Sequence, residues 1–318
     1  MTTTPSTVPQ EATHPAAPAP WLPASAIAVT LVLWASAFVA IRHLGHDVSP
    51  GALSLGRLLI AAVVLRVLLA RAPRIRLTRN EVLLLLGCGI AWFGIYNLSL
   101  NAAEQRIDAA TAAMIVQVGP ILIALLAALF LGERLTTWFA AGMVVAFGGV
   151  VVIGNAMRGD GGSDLSGVLL ALLAAATYAI GVVCQKVLLR RVSGLEVTCY
   201  ACWIGAVVCL PWIGDLGEVV TTSSTQNLLL IAYLGVFPTA IAFSTWAYAL
   251  RWTDAGKQAI TTFLVPGITA VLAWLLLDEV PPTMVFVGGV LCIAGVLLTR
   301  RKPRTAVPPT PVSGPSAD

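Results

Sequence analysis

The chain has 318 residues, 58% of them apolar and only 11% charged, with a formal net charge of +4 and a mean hydropathy of +0.89. A soluble domain carries about 25% charged residues, so this composition excludes an ordinary soluble domain and indicates a polytopic membrane protein. Backbone groups in lipid must be bonded internally, which leaves helices or a closed barrel; apolar runs of ~20 residues without strand-like alternation select helices. The expected fold class is all-α integral membrane.

In chain order, residues 1–20 are rich in Pro, Thr and Ala and are expected to be disordered. They carry no basic n-region, so no cleaved signal peptide is read there. Ten spans are predicted, near 23–41, 51–70, 82–102, 109–132, 137–155, 166–188, 196–214, 227–249, 257–277 and 283–299. Ser49-Pro50-Gly51 opens the second, Thr136-Thr137 supplies a cap for the fifth, and Pro281-Pro282 opens the tenth. The loop around Arg158-Gly-Asp-Gly-Gly-Ser163 is the boundary between halves. It divides a five-helix unit, 21–155, from a second, 165–300, with 156–164 as linker. Residues 301–318 form a basic, Pro-rich tail, again expected to be disordered. The six cysteines all fall in apolar runs, where Cys packs as a small hydrophobe. Cys199-Tyr-Ala-Cys202 has no second Cys or His pair beside it and is not read as a metal or redox site.

The distribution of Lys and Arg sets the orientation. With the N-terminus inside, inner segments hold fourteen of them and outer segments three, Arg42, Arg106 and Arg158; Arg57 and Arg66 lie within the second span. Both termini are therefore expected in the cytoplasm, and the protein in the cytoplasmic membrane.

The stretch from Met114 to Leu135 recurs 146 residues later. Without a gap, Pro120 falls on Pro266, Glu133 on Glu279, Asp108 on Asp254, Gly142 on Gly288 and Gly149 on Gly295. A shift of 144 places Trp34 to Arg42 on Tyr178 to Lys186. Fixed-offset matches of Pro, Glu, Asp and Gly mark a duplicated unit. Each unit has five spans, an odd number, so the copies face opposite ways. Inverted repeats of this kind are the architecture of many secondary transporters, with the site at the midplane between halves.

Ten spans in two repeats, P-x(12)-E-R-L from Pro120 to Leu135, the weaker P-x(12)-E from Pro266 to Glu279, and S-P-x(6)-R from Ser49 to Arg57 resemble the EamA-type drug/metabolite transporter superfamily. The likeness covers nearly all of 23–300. It implies a bundle of ten helices around a central cavity, alternating access, and usually export of amino acids or other small metabolites. The copies differ where Asp278-Glu279-Val280 replaces Gly132-Glu133-Arg134 and Ala201 replaces Arg57.

Several residues are candidates to line a cavity. Arg57, two turns into the second span, is a charge that costs roughly 2.5 kcal/mol or more near the bilayer centre; it contacts cargo, snorkels, or braces a neighbouring helix. Trp34 and Phe38, Asn97 and Asn101, Tyr178 and Gln185, and Phe243 and Trp246 pair at helical spacing, and Gln117 lies one turn before Pro120. Interhelical hydrogen bonds and interfacial belts are the competing readings for these polar and aromatic side chains. Pro120 and Pro266 are hinge candidates or static kinks. Glu133 and Glu279, at span ends, are gate or cap candidates. Gly142 and Gly149, with Gly288 and Gly295, form a close-packing stripe. No acidic residue is mid-span, so no proton relay is legible.

The sequence contains no P-loop, H-E-x-x-H or G-x-S-x-G, which argues against a nucleotide-driven pump and a membrane-embedded enzyme. No cofactor, metal or nucleic-acid partner is expected. The expected partners are a small-molecule substrate and the lipid bilayer; monomer and homodimer both fit. A secondary carrier exporting metabolites is the leading reading, with drug efflux the alternative within transport.

Overall fold

The computed structural model describes residues 18–45, 47–72, 76–107, 109–156, 164–277, 282–299 and 301; their regular structure is helical, with no strand among them. Glu279, Asp108, Pro281, the 157–163 loop and most of both tails lie outside the described residues. Helices α1 (Trp21–Leu44), α2 (Pro50–Leu68) and α3 (Arg79–Cys88) open the chain, followed by α4 (Tyr96–Glu104), α5 (Ala109–Val116), α6 (Gly119–Leu131) and α7 (Thr137–Ala156). The second half has α8 (Leu165–Leu188), α9 (Gly194–Val208), α10 (Ile213–Thr222), α11 (Thr225–Leu234), α12 (Ala242–Trp252), α13 (Ala255–Ala259), α14 (Val265–Leu277) and α15 (Thr283–Thr299).

Helix starts follow the local chemistry. Ser49 accepts from the Ala52 N–H at the head of α2, and Thr136 accepts from the Phe139 N–H at the head of α7, as hydroxyl caps do. Thr78 with Glu81 and Ser193 with Glu196 form full capping boxes on α3 and α9. Asp164 caps α8, and the Ser166 backbone N–H and hydroxyl hold its carboxyl below the usual aspartate range.

Eight helical stretches among the described residues are long and apolar enough to cross a membrane. They agree with eight of the ten expected spans. The expected span at 196–214 is instead a pair, Gly194–Val208 and Leu210–Thr222, bent by 62°. Leu210-Pro211-Trp212 forms a 3-10 turn at that bend, and Pro211 ends the regular ladder there. α15 has 17 residues and falls just short of the length of the others.

Two spans contain a seven-residue π-helix, Gly89–Ile95 between α3 and α4 and Gly235–Ile241 between α11 and α12. The two are 146 residues apart, the offset of the sequence repeat. Such segments mark functional positions in many helices. Spans four and nine are also broken at equivalent places. Gln117 and Val118 separate α5 from α6, and a 3-10 segment, Ile260–Leu264, separates α13 from α14. Pro120 and Pro266 are each the second residue of the helix after the break. They therefore sit where a proline's missing N–H is tolerated, and the irregular backbone lies just ahead of them.

The glycine stripe packs α7 on α15. A methyl on Gly149 would lie 2.6 Å from the Gly288 carbonyl oxygen, and one on Gly142 would lie 2.6 Å from that of Gly295. Gly142 faces Gly295 while Gly149 faces Gly288, so the two helices run antiparallel through the contact. The Cys292 thiol lies 3.4 Å from the carbonyl oxygen of Ala146, its own repeat equivalent. Backbones this close gain packing that larger side chains would forbid. The main buried cluster lies elsewhere, around Trp92, Phe93, Tyr178, Phe243 and Trp246.

Candidate functional site

A pocket lies between the two halves, with about 660 Å³ of space, its open edge included. α1 lines it with Trp34, Ala37, Phe38 and Ile41, one face of a helix at spacings of three and four. α2 contributes Arg57, and span three contributes Trp92, Tyr96, Asn97 and Leu100. Val116 and Gln117 come from the break in span four, Tyr178 from α8, Phe243 from α12, and Thr262 and Val265 from span nine.

The floor is aromatic. Trp34 lies 5.3 Å from Phe243 and 5.0 Å from Trp246, and Trp92 lies 4.9 Å from Phe243 and 5.2 Å from Tyr178, between ring centroids. These are edge-on and tilted pairs, the arrangements that ring quadrupoles favour.

The polar groups trace back to the helix irregularities. Pro238 has no N–H to offer the Leu234 carbonyl four residues back; the Thr239 hydroxyl donates to that carbonyl at 2.7 Å. Thr239 Oγ1 then accepts from Arg57 Nε at 3.0 Å, and Arg57 is only 6% exposed. In the other π-helix Asn97 Nδ2 donates to the Phe93 carbonyl at 2.8 Å. Gln117 joins the breaks of spans four and nine: its Nε2 donates to the Thr262 carbonyl at 3.0 Å, and the Thr262 hydroxyl donates back to its Oε1 at 3.3 Å.

Below the floor a second set of contacts closes the bundle. α6 ends at Gly132 in the left-handed conformation, φ 69°, as helix C-termini often do. That turn brings the Glu133 carboxylate to the head of α13, where it accepts from the Ala255 N–H at 2.6 Å and the Gly256 N–H at 3.0 Å. Lys186 Nζ, at the end of α8, donates to the carbonyls of Leu250 and Thr253 at 2.7 and 2.5 Å. Opposite charges thus hold the two sides of the corner between α12 and α13, a basic group on the carbonyl end and an acidic group on the N–H end.

Of the ten candidates, Trp34, Phe38, Arg57, Asn97, Gln117, Tyr178 and Phe243 line the pocket. Asn101 lies off it and donates to Ser54 Oγ at 3.0 Å on α2. Trp246 is beneath the floor, and Gln185 is buried two turns beyond Tyr178; neither Gln185 amide atom nor Trp246 Nε1 has a hydrogen-bond partner. Sequence reasoning did not single out Trp92, Tyr96 or Thr262. The available signal was Gly89 matching Gly235 at the repeat offset, which marks the π-helices that turn Trp92 and Tyr96 onto the lumen. Among the described residues no group of three His, Cys, Asp or Glu side chains is arranged to hold a metal.

A model of the EamA-like transporter family matches residues 21–155 and again 165–301. A protein of Streptantibioticus cattleyicolor named "Probable terminal-alkyne amino-acid exporter" is 37% identical over 281 residues, which is 87% of this chain and 93% of that one. A Salmonella typhimurium protein named "Probable amino-acid metabolite efflux pump" is 26% identical over 85% of this chain and 92% of its own length. A solved crystal structure superposes with a TM-score of 0.70 at 19% identity, over 87% of this chain and 96% of that one, a likeness of fold alone. The family and these names point to a transporter rather than an enzyme.

Proposed function

Because the chain belongs to the EamA-like transporter family, a family of multi-pass membrane transporters, we propose that it is a secondary carrier exporting amino acids or related small metabolites. It works by alternating access across the cytoplasmic membrane, with both termini cytoplasmic. The observation that carries this reading is the pocket itself, which draws its lining from both repeats and lies where their helices are irregular. The relatives named as amino-acid exporter and metabolite efflux pump support export and the cargo class.

The units 21–155 and 165–300 are the two repeats. The bent pair Gly194–Val208 and Leu210–Thr222 serves as the seventh span and Thr283–Thr299 as the tenth, giving ten. Antiparallel packing of α7 on α15, which are repeat equivalents, supports inversion, since copies related by an axis along the membrane normal would pack them parallel. On this topology the pocket lies toward the outside, at the Ile41 and Leu100 ends of spans one and three. The Glu133 and Lys186 contacts then form a closed inner gate. The unpartnered amide of Gln185 and indole N–H of Trp246 beneath the floor fit a second state in which that region opens to the inner vestibule, because buried polar atoms without partners are costly.

Drug efflux is the second reading, and the aromatic lining favours it. Comparing metabolites outside cells with and without the gene tests both. Accumulation of one or a few amino-acid-like compounds outside expressing cells supports the proposal. An unchanged exterior together with resistance to added apolar toxicants would replace it with efflux.

A further inference from the structure

Resting on the transporter reading of this pocket, we propose that Arg57 receives an acid group of the cargo and that a free ammonium on the cargo has no charged partner in the lining. The preferred cargo class is then an aromatic or similarly unsaturated carboxylic acid whose amine is capped or absent, rather than the zwitterion.

Arg57 is the one charged side chain in the lining. Its Nε is held by Thr239, and its two terminal nitrogens make no hydrogen bond or ion pair among the described residues. Neither is among the buried, sealed-off polar atoms, so both are open to the pocket. A guanidinium fixed at Nε presents its remaining N–H groups as a fork, the geometry that matches a carboxylate. A charge at this depth is expensive unless paired, and an anionic cargo pairs it.

The second half of the argument is what the lining lacks. No Asp or Glu is in it, so an ammonium has no charged partner. The amide nitrogens are committed, Asn97 Nδ2 to Phe93 and Gln117 Nε2 to the Thr262 carbonyl, and the amide oxygens offer an ammonium neutral acceptors only. Trp34 Nε1 is itself among the sealed-off atoms, so Trp34 meets cargo through its ring. The rings of Trp34, Trp92, Tyr178 and Phe243 supply the surface for a flat apolar body.

The test uses the full chain, purified and reconstituted, with four probes of one shape: N-acetylphenylalanine, its neutral methyl ester, phenylpyruvate and phenylalanine. Binding is read from quenching of tryptophan fluorescence and transport from counterflow. The expected result is that both capped or amine-free acids bind at least as tightly as phenylalanine. The ester should bind about ten- to hundredfold more weakly than its acid, the range lost with a charge-assisted hydrogen bond. Arg57→Gln should erase the acid–ester difference and Arg57→Lys should keep part of it, each checked for membrane abundance and thermal unfolding. Should Arg57→Gln fail to fold, the wild-type series alone decides. Tenfold tighter binding of phenylalanine than of N-acetylphenylalanine would overturn the inference, as would acid–ester discrimination persisting in folded Arg57→Gln; both leave the carrier reading standing. Folded wild-type protein that neither binds nor moves any of the four would overturn both.

Discussion

Removing the Glu133 carboxylate should open the inner side of the bundle. In the structure this group accepts two backbone N–H groups, at 2.6 and 3.0 Å, at the head of α13. Hydrogen bonds to an ionised acceptor are worth about 1.5–3 kcal/mol each when well buried. Glu133 is half-buried, so water offsets part of this, and ~1–2 kcal/mol for the pair is the working figure. If the contact exists only in the inside-closed state, Glu133→Ala shifts the balance toward the inside-open state about five- to thirtyfold. Glu133→Gln keeps one acceptor oxygen and should shift it less. The assay is labelling of Ala259→Cys by a membrane-impermeant thiol reagent from the inner side, in a background with the native six cysteines replaced. Ala259 is fully buried in α13, so its labelling reports opening. A parallel reporter at Ile41→Cys should move the opposite way. Labelling at Ala259→Cys within twofold of the parent, with normal abundance and thermal stability, would refute the reasoning and make Glu133 a static helix cap.

Other expected outcomes follow from the same contacts. Gly149→Ala places a methyl 2.6 Å from the Gly288 carbonyl oxygen and should cost about 1–3 kcal/mol of stability, read as earlier thermal unfolding in detergent; an unchanged transition would mean α7 and α15 are not packed as described. Thr239→Val removes the anchor of Arg57 Nε and should weaken cargo binding per folded protein roughly fivefold, the worth of one hydrogen bond of about 1 kcal/mol; unchanged affinity would show that Thr239 does not position the guanidinium. Pro120→Ala and Pro266→Ala each restore a donor next to a break in spans four and nine, and should bias the two mouths in opposite directions in the same cysteine assay; identical shifts would make the matched prolines a static relic of duplication. Reporters fused after Arg76 and at the C-terminus should read cytoplasm and one inserted near Gly161 should read outside, whereas a cytoplasmic Gly161 would destroy the inverted-repeat reading.

Much of the architecture was legible because the residues that shape backbone are few and keep their spacing. Pro120, Glu133, Gly142 and Gly149 each have a partner at one offset, and an apolar run cannot produce that by composition. Eight spans were legible from length and hydropathy, and the glycine stripe from its spacing of seven. The bend at Leu210-Pro211-Trp212 was missed because the apolar run continues through it, so hydropathy sees no boundary. The pocket was read in part. Helical spacing carried Trp34 to Phe38 correctly, since α1 is regular. It failed on span three, where a π-helix adds residues to a turn and rotates everything on one side of it relative to the other. That rotation puts Trp92 on the lumen with Tyr96 and Asn97; Asn101 follows the π-helix in the same regular α4 as Asn97, but falls at the edge of the lumen face and reaches Ser54 on α2. Depth was the other loss: Gln185 and Trp246 share helix faces with Tyr178 and Phe243, and no sequence pattern says at which turn the lumen ends.

The claim that this chain is a carrier with a single site exposed alternately to each side is tested most directly by counterflow. Proteoliposomes holding the purified chain are preloaded with the compound that accumulates outside expressing cells, and a trace of labelled compound is added outside. The account predicts a transient accumulation of label above its equilibrium level, absent from vesicles without protein and from vesicles not preloaded. Label that only equilibrates, at a rate independent of preloading, would contradict it.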